Sequence, residues 1–288
     1  VDHHDPVSRR LSVAGVAVPC FVYGTAWKEA HTERLTGLAL EAGFRGIDTA
    51  NQRRHYHEAG VGAAIAAAVA SGLVRRDELF LQTKFTSVGG QDHRLPYDPA
   101  ADLATQVRQS FRSSLEHLGV ETLDSYVLHG PARRFGLTAS DLEIWEAMEG
   151  LHATGQTRFL GVSNVGLDQL EALCARATTP PAFVQNRCFA QTGWDREIRA
   201  FCRERSIVYQ GFSLLTANLA ELRHPAFARL VARVGRTPAQ VVFRFALQVG
   251  MQPLTGTTDP AHMREDLQSY DFQLSGEDVR MIEAIVRL

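Results

Sequence analysis

The sequence predicts an α/β protein built as one (β/α)8 TIM barrel over residues 1–288, and three observations carry that prediction. β-Branched or aromatic runs alternate with amphipathic segments along nearly the whole chain, and eight of these runs are each followed by a helical pattern. Such regular alternation implies a parallel sheet, which at eight repeats closes most economically into a barrel. The length of 288 residues also suits a fold that typically occupies about 250 residues as one domain.

The first element is a hairpin. Residues 9–19 (RRLSVAGVAVP) alternate in polarity and turn at Ala14-Gly15, and a hairpin there would close the bottom of a barrel. Candidate barrel strands follow at 20–25 (CFVYGT), 44–48 (FRGID), 79–84 (LFLQTK), 123–129 (LDSYVLH), 157–162 (TRFLGV), 182–185 (AFVQ), 207–212 (IVYQGF) and 252–257 (QPLTGT). Amphipathic segments fall between them at 31–43, 57–72, 101–118, 139–155, 166–177, 194–205 and 221–249. The last is expected to split at Gly235 and Pro238. Ser275, followed by Glu277 and Asp278, caps an additional C-terminal helix over 275–286.

Composition excludes several classes. With 45% hydrophobic and 22% charged residues and a net charge of −2, the chain gives no sign of a nucleic-acid or membrane-surface partner. No apolar run reaches the roughly 20 residues of a spanning helix, and no signal peptide is read at the start. Cys20, Cys174, Cys188 and Cys202 are widely spaced without a CxxC pair, as expected of reduced thiols in a cytoplasmic protein. His3 and His4 read as part of a frayed terminus rather than a metal site, and no metal is expected.

Catalytic groups of such barrels sit at the C-terminal ends of the strands. Here the second strand ends in Asp48, the third in Lys84 and the fourth in His129. Lys84 is conspicuous because only two of the 30 basic Lys and Arg residues are lysines. Arg is always charged and spreads its charge over a planar fork, whereas Lys is a compact charge whose pKa responds to burial. Three complementary ionisable groups on consecutive strand ends therefore point to a reaction centre.

The motifs around these residues resemble the aldo-keto reductase family. The likeness runs from Gly24-Thr25 through GFRGIDTA (43–50), EAGVGAAI (58–65), LFLQTK (79–84), LDSYVLHGP (123–131), GVSN (161–164), VQN (184–186) and GFSLL (211–215). It implies a barrel that binds a nicotinamide cofactor without a Rossmann domain, in keeping with the absence of G-x-G-x-x-G. It also implies a catalytic set of Asp48, a loop tyrosine, Lys84 and His129. The loop DTANQRRHYHE from Asp48 to Glu58 is two residues longer than the family pattern. His55 fills the slot three before Glu58 and Tyr56 follows it; Tyr56 is assigned as the acid, with His55 the competing candidate and a substrate contact.

By the same resemblance, Gly24 and Thr25 border the cofactor, while Ser163, Asn164 and Gln185 pair with the nicotinamide carboxamide. Phe212 stacks on the ring, and Ser213, Leu215, Gly256, Thr257 and Thr258 cradle pyrophosphate and ribose. Gly256 and His262 stand where many members carry Lys and Arg against a 2′-phosphate, Arg264 lies nearby, and Glu265 and Asp266 are placed toward the adenine. NADP is the expected cofactor, with NAD open. Trp27, His55, Arg187 and Trp194 are expected to rim a pocket for a small carbonyl compound, a bulky one if the C-terminal loop is short.

The chemistry is consistent with these residue types. Reduction of a carbonyl delivers hydride to carbon while oxygen gathers charge, so the site needs a proton donor and hydrogen-bonding groups aimed at that oxygen. An ammonium about 4 Å from a phenol contributes on the order of 1 kcal/mol in water but about 4 kcal/mol at an effective dielectric near 20. Only an enclosed Lys84, anchored by Asp48, would lower the Tyr56 pKa usefully, while His129 would orient the carbonyl. Two other functions use the same residues: a Schiff-base lyase or isomerase using Lys84 as nucleophile, and a cofactor-binding regulatory subunit.

Overall fold

The computed structural model describes residues 9–287, so the His3-His4 segment lies outside the described residues. Two antiparallel strands come first, β1 (Arg10–Val13) and β2 (Val16–Pro19), in register from Arg10 opposite Pro19 to Val13 opposite Val16. Ala14 and Gly15 turn between them with φ of 45° and 81°, the pair of positive values that a tight two-residue hairpin requires.

Eight barrel strands follow: β3 (Val22–Gly24), β4 (Gly46–Asp48), β5 (Phe80–Phe85), β6 (Leu123–Leu128), β7 (Thr157–Ser163), β8 (Phe183–Arg187), β9 (Val208–Phe212) and β10 (Met251–Thr255). They form a closed barrel in the order β10-β3-β4-β5-β6-β7-β8-β9. The helices are α1 (Thr32–Ala42), α2 (Glu58–Ala70), α3 (Leu103–Leu118), α4 (Ala139–Ala153), α5 (Leu167–Arg176), α6 (Arg196–Glu204), α7 (Pro225–Val234), α8 (Pro238–Gln248), α9 (Pro260–Leu267) and α10 (Gly276–Glu283). The barrel and the hairpin predicted from sequence are thus present.

Differences lie mainly at boundaries. The segment 221–249 divides where expected: Gly235, at φ 65°, ends α7, and Thr237 caps α8 with Pro238 in its first turn. Helix α9 follows the last strand, where the sequence pattern predicts no helix. Turn-forming residues from Gly256 to Pro260 hide its start, yet Asp259 accepts from the Ala261 amide at 2.7 Å and Pro260 occupies the first turn.

The chain divides into two compact units, residues 23–185 and the remainder. In the first, β5 and β6 are buried at every position, as expected for strands covered on both faces. Leu81, Val127, Val162 and Val184 form its centre, with Phe111 edge-on to Tyr126 at 4.9 Å. Its parallel register sets Gly24 beside Asp48, Asp48 beside Gln82, and Lys84 beside Val127. In the second unit β9 and β10 pair from Tyr209 opposite Met251. Gln252 there accepts from Gln210 at 2.7 Å and donates to the Pro19 carbonyl at 2.5 Å, holding the hairpin against the N-terminal half of β10.

Candidate active site

Asp48 is the last residue of β4 and Lys84 the last but one of β5. Lys84 Nζ lies 2.8 and 2.7 Å from the two Asp48 carboxylate oxygens and donates to the Thr49 carbonyl at 2.7 Å. Asp48 Oδ1 also accepts from Gln82 Nε2 at 2.7 Å and Gln185 Nε2 at 3.0 Å. The Thr25 amide and hydroxyl both donate to the Asp48 carbonyl, at 3.0 and 2.9 Å. Burial lowers the Lys84 pKa from its ordinary value, opposed by Asp48 and Glu58. Removing either member of so buried a pair strands the other's charge, a loss of about 3–5 kcal/mol.

The long loop after β4 is ordered by its own amides. The Gln52 carbonyl accepts from the amides of His55 (3.1 Å) and Tyr56 (2.9 Å), so the additional residues are taken up in a tight turn. Gln52 Nε2 donates to the Gly90 carbonyl at 2.6 Å, and Asn51 Nδ2 donates to the Ser110 carbonyl at 3.0 Å. The turn directs the half-buried Tyr56 inward: Lys84 Nζ stands 5.1 Å from its ring centre, and the His129 ring is edge-on at 5.9 Å. His55 instead stacks on Trp27 at 3.9 Å, and its carbonyl accepts from the Trp27 amide at 2.7 Å. Trp27 is 70% exposed.

Burial pushes the Tyr56 phenol well above its ordinary pKa, and the Asp48 carboxylate pushes the same way. The expected lowering by Lys84 is not found in the site as it stands. The physical reason is that Lys84 is matched by Asp48, so the pair is nearly neutral toward its neighbours while desolvation of a phenolate is not. Tyr56 therefore holds its proton at neutral pH. That is the state a proton donor requires.

His129 directly follows β6, and its amide donates to the Phe85 carbonyl at 2.9 Å. Burial, Lys84 and His55 lower its pKa to about 3, leaving a neutral imidazole. Its Nδ1 is 2.6 Å from Thr86 Oγ1, and its carbonyl accepts from Asn164 Nδ2 at 2.8 Å. The buried Ser163 donates through Oγ to the Gln185 carbonyl at 2.7 Å, and the Asn164 amide donates to the same carbonyl at 3.0 Å. Ser163, Asn164 and Gln185 are thus tied to Asp48 and His129 through one hydrogen-bonded set.

Sequence reasoning missed the supports behind this centre. Glu58 is buried at the start of α2 and accepts from the Thr83 hydroxyl and, at 2.9 Å, from Ser114 Oγ; its other oxygen meets His117 Nδ1 at 2.9 Å. Gln82, Lys84 and Thr86 lie at alternate positions, so one face of the chain through β5 carries three polar groups. That period of two was the available signal.

In the other unit, Phe212 is half-buried at the end of β9, and Ser213 adopts φ 56° while its carbonyl accepts from the Ala217 amide at 2.9 Å. Leu215 and Thr257 are half-buried, whereas Gly256, Thr258 and His262 are exposed; His262 Nε2 is 4.0 Å from Asp259. Glu265 is half-buried, and the exposed Arg187 guanidinium lies 5.5 Å from the Phe189 ring centre. Two expectations are corrected. Trp194 is fully buried against Phe245 with its indole N–H donating to the Ile282 carbonyl at 2.9 Å, so it packs a core and does not rim a pocket. Asp266 is 3% exposed and accepts from Thr255 Oγ1 at 2.7 Å, so it faces its own unit rather than an adenine. Among the described residues no cluster of His, Cys, Asp and Glu suits a metal ion.

A closed parallel barrel with ionisable groups gathered at its strand ends defines a barrel enzyme. The sequence model of the Aldo/keto reductase family matches residues 23–287, and the chain belongs to that family. It is 32% identical to an aldo-keto reductase of Mycolicibacterium vanbaalenii, over 89% of this chain and 84% of the relative. It is 30% identical to NADPH-dependent codeinone reductase 1-4 of Papaver somniferum, over 94% and 87% of the two chains. The crystal structure of a Bombyx mori aldo-keto reductase in complex with NADP superposes with a TM-score of 0.81, covering 96% of this chain and 92% of that one at 25% identity.

Proposed function

We propose that this protein is an NADP(H)-dependent oxidoreductase that reduces an aldehyde or ketone to an alcohol, with Tyr56 as proton donor. The observation that carries the reading is that the Tyr56 ring lies 5.1 Å from the Lys84 ammonium and 5.9 Å from the His129 ring, centre to centre. NADP(H) rests on the NADPH-dependent and NADP-bound relatives. The residues present suit such a group: the Asn164 and Gln185 side-chain carbonyls would accept from a carboxamide's N–H groups, their amide nitrogens being committed to the His129 carbonyl and to Asp48, and in the other unit Phe212 offers a half-buried aromatic face. Toward a 2′-phosphate the chain offers His262 and Arg264, because Gly256 brings no cation and Asp259 caps α9 with its own carboxylate.

When bound, the cofactor supplies hydride to the carbonyl carbon. His129 orients the carbonyl by donating a hydrogen bond to its oxygen, and Tyr56 passes its proton to that oxygen as negative charge develops there. Lys84, held by Asp48, packs its ammonium 5.1 Å from the centre of the Tyr56 ring and fixes the place of the phenol. Trp27 and His55 form an exposed aromatic platform for a bulky substrate. The Schiff-base alternative loses support because Lys84 directs its ammonium hydrogens to Asp48 and Thr49. Tyr56→Phe is expected to lower carbonyl-dependent NADPH oxidation by about 10²- to 10⁴-fold. Fluorescence titration with NADPH should show cofactor binding retained; undiminished turnover would remove Tyr56 from the role.

A further inference from the structure

Thr86 meets the His129 imidazole at Nδ1, and several constraints fix how it makes that contact. The parallel pairing of Phe85 with Leu128 carries the two chains out of β5 and β6 side by side, so the next residues, Thr86 and His129, are neighbours. Thr86 is 4% exposed and places Oγ1 2.6 Å from His129 Nδ1. Its carbonyl accepts from the Tyr97 hydroxyl at 2.7 Å and from Gln91 Nε2 at 3.2 Å, pinning the backbone. Its methyl occupies the space a side chain at residue 90 would take: a Cβ on Gly90 would lie 2.7 Å from Thr86 Cγ2. Methyl and hydroxyl are therefore both committed, and χ1 has little freedom.

The direction of the Thr86 to His129 hydrogen bond follows from counting donors. A neutral imidazole has one N–H and one acceptor nitrogen, and a threonine hydroxyl has one hydrogen to place. His129 Nδ1 is the side-chain group that meets Thr86 Oγ1 among the described residues. If Oγ1 accepted from Nδ1–H, its own hydrogen would be buried without an acceptor, a costly state. If Oγ1 donates, its hydrogen is satisfied and Nδ1 is the acceptor. The ring proton then resides on Nε2.

We propose that Thr86 is a positioning residue that holds His129 in the Nε2–H tautomer, so that the ring presents a donor rather than a lone pair to the substrate oxygen. This rests on the reading of His129 as the carbonyl-orienting donor. A ring in the other tautomer would turn its lone pair toward an oxygen that is gaining negative charge, opposing the reaction. Thr86 reaches no reacting atom; it acts through His129.

The test compares Thr86→Val, which keeps the shape and removes the hydroxyl, with Thr86→Ser, which keeps the hydroxyl. The full chain saturated with NADPH, labelled with ¹⁵N-histidine, reports the tautomer by long-range ¹H–¹⁵N spectra, with His129→Ala assigning the signal. The wild type should show Nε2–H. Thr86→Val should populate the Nδ1–H form and lower kcat on the order of tenfold, with KM changed less, the lower end of what losing the partner behind a metal-ligating histidine costs. Thr86→Ser should restore the tautomer and most of kcat. The proposal is overturned by an unshifted tautomer or wild-type kcat in Thr86→Val, or by Thr86→Ser being as slow as Thr86→Val. Wild-type kcat/KM in His129→Ala would instead overturn the reading of His129 itself.

Discussion

Tyr56 and His55 are adjacent in the chain, yet the turn closed on the Gln52 carbonyl sends one to Lys84 and the other to Trp27. Counting back three residues from Glu58 lands on His55, and it is the chemistry of the phenol that points to Tyr56, since a longer loop can redirect a side chain without leaving a compositional mark. Asp48, Lys84 and His129 were legible because strand ends fix their placement; Gln82 and Thr86 were not, being neutral groups whose role appears only through contacts. The low pKa of His129, about 3, has a consequence for stability. An unfolded histidine titrates near pH 6.5, so between about pH 6.5 and 3 the unfolded chain binds a proton that the folded chain does not. Stability should fall as pH drops through that window. In urea unfolding at a series of pH values, His129→Gln should flatten the slope by about one proton; an unchanged slope would show that the imidazole charges freely in the folded state.

Elements with long apolar patterns were read nearly to their ends, while α9 was missed because its eight residues begin after a run of turn formers and its buried face is short. One part of that face is Asp266, whose pKa burial raises to about 6 against the pull of Thr255. Between about pH 3.8 and 6 the folded chain keeps a proton that the unfolded chain releases, so this carboxyl makes folding less favourable as pH rises and the deficit persists above pH 6. Asp266→Asn retains an acceptor for Thr255 and carries no charge. It should raise the melting temperature at pH 7.5 by a margin equivalent to on the order of 1–3 kcal/mol, with the gain vanishing near pH 3.5. Equal gains at both pH values would assign the effect to packing.

At the scale of the whole molecule, the regular strand and helix alternation made the barrel legible, since period and repeat number survive small errors at every boundary. The tuning of the phenol was not legible, because it depends on desolvation, which a sequence does not record. The distribution of cations has a further outcome. Both lysines, Lys28 and Lys84, are buried, while the exposed basic side chains are arginines and histidines. Aldehydes condense with unprotonated amines, and acylating reagents attack the same groups, so the folded protein offers them no exposed lysine. Lysine acylation should thus track global opening, measurable by mass spectrometry across a denaturant series. Lys28 and Lys84, both buried, should then be modified together, over the denaturant range of global unfolding. Rapid modification of either lysine in the native protein would contradict this. A barrel whose lysine amines are folded away is shielded at those positions from adduct formation by aldehydes.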